Sequence, residues 1–250
     1  SFDCTNDTCL VYLADAGTRW AYHNPPYTLL HPIIENATGQ GINLYNYQKL
    51  LNPIGMNGLF LYSGYNIIFY STSRSMARFG LLILNNGNWD GNQIISDTNY
   101  FNQMLNTSQI HNKSYGYLWW LNGKQSSMFP GTQFIFNGDI TPNAPNDLVS
   151  ALGKNGQIIN VVPSQDLVWI RMGEAPDSSL VPHNLNIAIW DYINNLTCET
   201  FSTDNYPSQN SRRLIKIVDV LVKKSGKLKN QPLFYIYDDG TVEKKIIIQQ

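Results

Sequence analysis

The stretch Tyr22-His23-Asn24-Pro25-Pro26-Tyr27-Thr28-Leu29-Leu30 decides how the rest of the chain reads. Two successive prolines suit a helix start, because the N–H groups they lack would be orphaned in the first turn anyway. Leu29, Leu30, Ile33 and Ile34 follow at helical spacing, and Gly39 is a natural stop. Pro32, inside this pattern, predicts a kink or a split in the helix. Ahead of the prolines, Tyr22 and Asn24 stand two residues apart. In an extended loop that spacing puts both side chains on one side and turns His23 away.

Outward from this stretch, a second short helix is expected over residues 44–51. Residues 59–70 are aromatic and β-branched and read as extended. Thr72 or Ser73 caps a strong helix with Met76, Phe79, Leu82 and Ile83 on one face, ended by Asn85-Asn86-Gly87. Residues 97–105 read as another helix, with Ser96-Asp97-Thr98 as its cap. Strands are expected over 115–121 and 133–136. The clearest strand pair is 156–162 with 167–172, joined by the turn residues Pro163-Ser164-Gln165-Asp166. A closing helix follows over 185–193. Helices early and antiparallel strands late predict an α+β domain ending near Cys198.

The 250 residues are 43% hydrophobic and 14% charged, a globular composition with enough length for a sizeable core. The net charge of −1 gives no reason to expect nucleic acid or an anionic membrane as partner. No apolar run reaches the ~18 residues of a spanning helix. The charge is unevenly spread. Up to Ser211 there are 8 Lys+Arg and 14 Asp+Glu, a net of −6; from Arg212 there are 9 and 4, a net of +5. This reversal predicts two modules. Residues 200–211 are polar and read as a linker. After it come a β-rich run at 214–221 and a hairpin over 232–248, turned at Asp238-Asp239-Gly240. Cys4 and Cys9 flank turn-forming residues and form either a small disulfide loop or two free thiols, and Cys198 is the odd one out. No Cys/His spacing fits zinc. With no initiating Met, Ser1 is either a processing point or a truncation.

Gly17-Thr18-Arg19-Trp20-Ala21-Tyr22-His23-Asn24 runs into the Tyr27-Thr28-Leu29-Leu30 helix and an Ile34-Glu35-Asn36-Ala37-Thr38-Gly39 ending. Met76-Ala77-Arg78-Phe79-Gly80 and Gly87-Asn88-Trp89-Asp90-Gly91 follow. Across about residues 12–198 this order resembles the serine β-lactamase and penicillin-binding-protein family. The resemblance implies a β-lactamase/transpeptidase-like α+β fold and acyl transfer through a serine, with no metal or organic cofactor. Tyr22 and Asn24 match the family's Tyr-x-Asn element, which implies proton transfer by Tyr22 and substrate holding by Asn24. The strand triplet matching Lys-Thr-Gly is Ala151-Leu152-Gly153, which departs from the pattern at Ala151. Gly153 still allows close substrate approach, and backbone there would help bind an oxyanion. The lost cation weakens carboxylate recognition and leaves uncharged amides or esters open. Lys154 either replaces that charge or is a solvated turn lysine. Trp119 and Trp120, in Tyr115-Gly116-Tyr117-Leu118-Trp119-Trp120, either line an aromatic pocket or pack in the core.

The family's Ser-x-x-Lys occurs nowhere in the chain. The expectation is therefore the C-terminal portion of a serine hydrolase (residues 1–199), inactive alone, whose serine and lysine lie upstream. Residues 212–250 resemble the C-terminal sorting domain of type IX secretion in Bacteroidetes. That resemblance implies the type IX machinery as partner and a secreted or cell-surface bacterial location, consistent with a Cys4–Cys9 disulfide. The rival expectation is a non-catalytic surface protein derived from a hydrolase and kept for binding.

Overall fold

The computed structural model describes residues 5, 10–176, 178–196, 213–218, 232–238 and 240–246. Cys4, Cys9 and Cys198 lie outside these residues, as does the 200–211 linker. The chain divides into two compact units, Ser1–Leu196 and Thr197–Gln250.

The first unit opens with α1 (Pro25–Thr38), which has Pro25 and Pro26 in its first turn. Gly39 closes it in the left-handed conformation, at φ 67°, and donates its N–H to Glu35 O at 2.8 Å. The expected split at Pro32 does not occur, and α1 is one continuous helix through that residue. A missing N–H at one interior position removes one hydrogen bond, and packing against the following elements outweighs it. The second helix is longer and less regular than expected. It comprises α2 (Ile42–Asn46), a π turn (Tyr47–Leu51) and α3 (Asn52–Ile54). Next, β1 (Gly58–Ser63) and β2 (Asn66–Ser71) form an antiparallel hairpin turned at Gly64-Tyr65. Asn24 and Tyr27, at the start of α1, bond to Tyr65 and Asn66 of that hairpin.

The central helix α4 (Ser73–Leu84) is capped as the sequence predicts: Thr72 Oγ1 accepts from Ser75 N at 3.2 Å. Arg78 reaches back to Ile54 O at 3.0 Å and lies over the Trp89 ring. A tight hairpin of β3 (Asn88–Trp89) and β4 (Asn92–Gln93) follows, with positive φ at Asp90 and Gly91. Helix α5 (Thr98–Met104) is capped by Asp97, whose carboxylate accepts from Tyr100 N at 2.8 Å.

The expected strand over 115–121 is a correction. Only β5 (Trp120–Leu121) is a strand, and the segment before it folds back, with Tyr115 bridged to Trp120. Leu118 takes φ +64°, and a Cβ at Gly116 would meet Met104 O at 2.2 Å. Close backbone approach to α5 therefore overrides the β-prone composition. The strand expected over 133–136 shrinks to β7 (Phe136–Asn137), paired with β6 (Ser126–Ser127).

The main sheet adds β8 (Val149–Gly153), β9 (Gln157–Val162) and β10 (Leu167–Arg171), in the antiparallel order β10-β9-β8-β5. The predicted hairpin over 156–172 is present with its turn at Pro163–Gln165. Alternation then sorts the side chains to two faces. Val149, Ala151, Ile159, Val161 and Val168 pack with Phe79 and Ile83 of α4. Leu152, Ile158, Val162 and Trp169 face the other way, toward α6 (His183–Ile193) and its Leu185, Ile189 and Trp190. α4 sits close: a Cβ at Gly80 would lie 2.5 Å from Val168 Cγ1. The unit is a mixed α+β fold with helices on both faces of an antiparallel sheet.

In the second unit, β11 (Leu214–Val218), β12 (Pro232–Tyr237) and β13 (Val242–Ile246) form an antiparallel sheet in chain order. The β12–β13 turn falls where Asp-Gly predicts it, with Tyr237 N donating to Thr241 O at 3.0 Å.

Candidate active site

A cleft of about 310 Å³ opens where β8 runs past β5. β5 pairs with Val149 and Ser150 only, so no described strand covers that side of Ala151–Gly153. All three of these residues line the cleft, together with Tyr22, Trp120, Tyr27, Phe69 and Met76. The cleft therefore joins a loop before α1 to a strand more than a hundred residues later.

Aromatic packing fixes Tyr22. Its ring stacks on Trp120, 5.9 Å between centroids, and meets Tyr115 edge-on at 6.4 Å. Trp120 is braced in turn by Tyr115 at 4.7 Å and by His183 at 4.4 Å. Such pairs contribute about 0.5–1.5 kcal/mol each beyond area burial. Burial raises the Tyr22 phenol above the ordinary tyrosine value. Burial also raises Tyr115, and the neighbouring Tyr22 adds to that shift. Both phenols are thus held neutral, as hydrogen-bond and proton donors. His183 is buried edge-on to Trp120 and Phe129, its two ring nitrogens unpaired, and burial lowers its pKa to about 3. Burial keeps it neutral, and it braces Trp120 without itself lining the cleft.

The other sequence-predicted residues divide. Asn24 is the N-cap of α1 with right-handed helical φ and ψ, so the extended-loop expectation for Tyr22 and Asn24 does not hold. Its Nδ2 donates to Tyr65 OH at 3.4 Å, and Asn24 is not among the residues lining the cleft. Trp120 is both core and cleft wall, whereas Trp119 is core alone, stacked on Phe79 beneath α4. Lys154 is exposed in the turn after β8, also outside the lining. Among the described residues, no group of three or more His, Cys, Asp or Glu could hold a metal ion. No described helix is long and apolar enough to cross a membrane.

Sequence reasoning missed Gln157 and Arg171, which line the cleft beyond Gly153. Arg171 Nη1 donates to Gly156 O at 2.7 Å and Gly173 O at 3.1 Å, and Nη2 donates to Glu174 O at 2.5 Å. Gln157 Nε2 donates to Gly173 O at 2.8 Å, and its Oε1 accepts from Gly173 N at 3.2 Å. These bonds tie the β8–β9 turn to the chain leaving β10, and so hold the end of β8 that carries Gly153. An arginine ending a strand is an ordinary pattern; only the register Leu152–Ile158–Arg171 across three strands places it.

Residues 11–188 match the beta-lactamase family. Solved structures share the fold. One is a provisionally assigned 6-aminohexanoate-dimer hydrolase from Bacillus anthracis, at TM-score 0.52 and 21% identity, covering 74% of this chain and 47% of that one. Another is a provisionally assigned beta-lactamase from Bacteroides dorei DSM 17855, at TM-score 0.51 and 15% identity, covering 74% and 61%. This chain thus spans about half to three fifths of the length of these structures. No curated protein matches it. With 178 of its 250 residues inside the family's pattern, the chain belongs to the beta-lactamase family.

Proposed function

We propose that this chain is part of an acyl-transfer hydrolase of amide or ester bonds whose Ser-x-x-Lys serine is supplied from outside these 250 residues. The observation that carries the reading is the convergence of Tyr22 and the uncovered β8 end at Gly153 on one cleft. An acyl carbonyl held against that strand end would place its oxyanion near backbone N–H groups. Tyr22, kept neutral by burial, would give its proton to the leaving group. An adjacent cation, such as the lysine of Ser-x-x-Lys, would bring the phenol down far enough to act as a base. The chain alone then has no nucleophile and does not turn over.

Incubation of the 250-residue chain with an activated ester and a fluorophosphonate probe tests this. The expected result is no burst and no serine labelled; a labelled serine overturns it. In a protein that also supplies the nucleophile, Tyr22→Phe should lower kcat by about 10²–10⁴-fold. Unchanged turnover would remove Tyr22 from the mechanism.

A second reading, a hydrolase-derived binding protein, is favoured by two departures: Ala151 in place of a cation, and the Asn24 amide spent on Tyr65. A native protein with no reactive serine in any associated segment would make this reading the better one.

The basic, β-rich tail supports a further part of the proposal, that residues 212–250 address the protein to type IX export and the cell surface. Deleting them should retain the protein inside the cell; unchanged surface display would refute the address.

A further inference from the structure

A second cavity, of about 250 Å³, opens at the other end of β8 from the cleft. The cleft takes Ala151–Gly153, where β8 ends, and this cavity takes Val149, where β8 begins. Its lining includes Ile83, Leu121, Leu148, Val149 and Val161, all buried. Polar groups complete it: Asn86, Asn106, Asn146, Lys124 and Asp147 among them. The two charged residues differ in what they already hold. Asp147 is spent on the turn after β9: its Oδ2 accepts from Ser164 N at 2.6 Å and its Oδ1 from Ser164 Oγ at 2.8 Å. Lys124 is half-buried and makes no hydrogen bond or ion pair among the described residues. The side-chain amides of Asn86 and Asn146 are also unspent among those residues.

Lys124 sits in the turn between β5 and β6, and its backbone is held on both sides. Gly123 takes φ +66° and passes so close to the next loop that a Cβ there would lie 2.6 Å from Asn146 O. Gln125 N donates to Asp139 Oδ1 at 3.0 Å, and Gly138 N donates to Gln125 O at 2.8 Å. The buried side chain of Asn122 ties the same turn to the carbonyls of Thr141, Ala144 and Pro145. The cation therefore stands at a wall that is built without it. Water can hydrate a half-buried ammonium, but a molecule that covers it must supply an acceptor in return.

We infer that this cavity is a second ligand site, separate from the cleft, and that it binds a small apolar monocarboxylate with Lys124 as the partner of the carboxylate. The buried aliphatic lining takes the apolar body, and the charge-assisted bond to Lys124 fixes the head. The amides of Asn86 and Asn146 can donate to the second carboxylate oxygen. Asp147 keeps its negative charge while bonded to Ser164, so it opposes a second anionic group on the ligand. Drug-sized pockets run from about 300 Å³ upward, and this cavity is smaller, so its ligand is one ring or a short branched chain.

This site is independent of acyl transfer, so the 250-residue chain is tested directly. Fluorine NMR follows 4-fluorophenylacetate and its neutral counterpart 4-fluorophenylacetamide as the protein is added. The two probes share a ring and differ in the carboxylate. The acid should bind more tightly than the amide. Lys124→Met should weaken the acid about tenfold and leave the amide unchanged. Lys124→Arg, which keeps the charge, should recover part of that loss. Asn106→Trp, at an exposed lining position, narrows the mouth and should weaken both probes. The cleft lies at the far end of β8, so acid bound there would be indifferent to Lys124. Equal binding of acid and amide, or a preference for the acid that survives Lys124→Met, would overturn the inference. A fluorophosphonate-labelled serine in the chain would refute the proposed missing nucleophile and leave this result standing.

Discussion

The cleft depends on how closely α4 lies on the sheet, and Gly80 sets that distance. A methyl group at Gly80 would sit 2.5 Å from Val168 Cγ1 and 3.4 Å from Ile159 Cγ2. Valine is stiff at χ1 and cannot swing away cheaply. Overpacking of this kind costs about 1–3 kcal/mol. Replacing an interior helical glycine by alanine returns about 1 kcal/mol of helix propensity. Gly80→Ala should therefore destabilise the protein by about 1 kcal/mol net. Val168→Ala alone removes two partly buried methyl groups, a loss of about 1.5 kcal/mol. In that background the clashing carbon is gone, and Gly80→Ala should stabilise by about 0.5–1 kcal/mol. The sign of one substitution thus reverses with the other, a coupling of about 1.5–2 kcal/mol. Urea unfolding of the four proteins, followed by tryptophan fluorescence, measures it. The same sign of effect in both backgrounds would mean that α4 does not pack on β10 at this point.

Two further outcomes follow from buried polar groups. His183 has a pKa lowered to about 3, so the folded protein disfavours its charged form; its contribution is fully present above about pH 6.5 and is lost as pH falls. Between pH 7 and 5 the wild-type protein should lose about 2 kcal/mol more stability than His183→Phe, and parallel urea profiles would refute the burial of the ring. Asn122 is buried and bonds to four backbone groups: its Nδ2 to the carbonyls of Thr141, Ala144 and Pro145, and its Oδ1 to Thr141 N. Asn122→Ala strands those groups and should cost about 2–4 kcal/mol in chemical denaturation, whereas a loss below ~1 kcal/mol would mean that the loop relaxes to pair them elsewhere.

The local signals in this chain were legible because local physics decides them. Pro25 and Pro26 start α1, Thr72 and Asp97 cap their helices, and Asp-Gly turns the tail hairpin, each through backbone groups within a few residues. Pattern also identified the α+β class, and resemblance to a known family placed Tyr22 and Gly153 as site candidates. What pattern could not supply was contact. Residues 115–121 are β-prone in composition, yet Gly116 must pass against Met104 O, and the segment folds back. Trp119 and Trp120 are chemically identical neighbours, and only the fold sends one to the α4 core and the other to the cleft. Asn24 looked paired with Tyr22 in an extended loop, but as the N-cap of α1 it takes helical φ and ψ and its amide donates to Tyr65. Arg171 had no motif at all. Its place depends on the pairing register of three strands and on three carbonyls from the chain around it. Sequence alone determined the helix starts and caps and the tight turns, because capping, turn chemistry and periodicity act over a few residues. The tertiary structure alone decided which side chains share the cleft, because register and close packing join residues that are far apart in the chain.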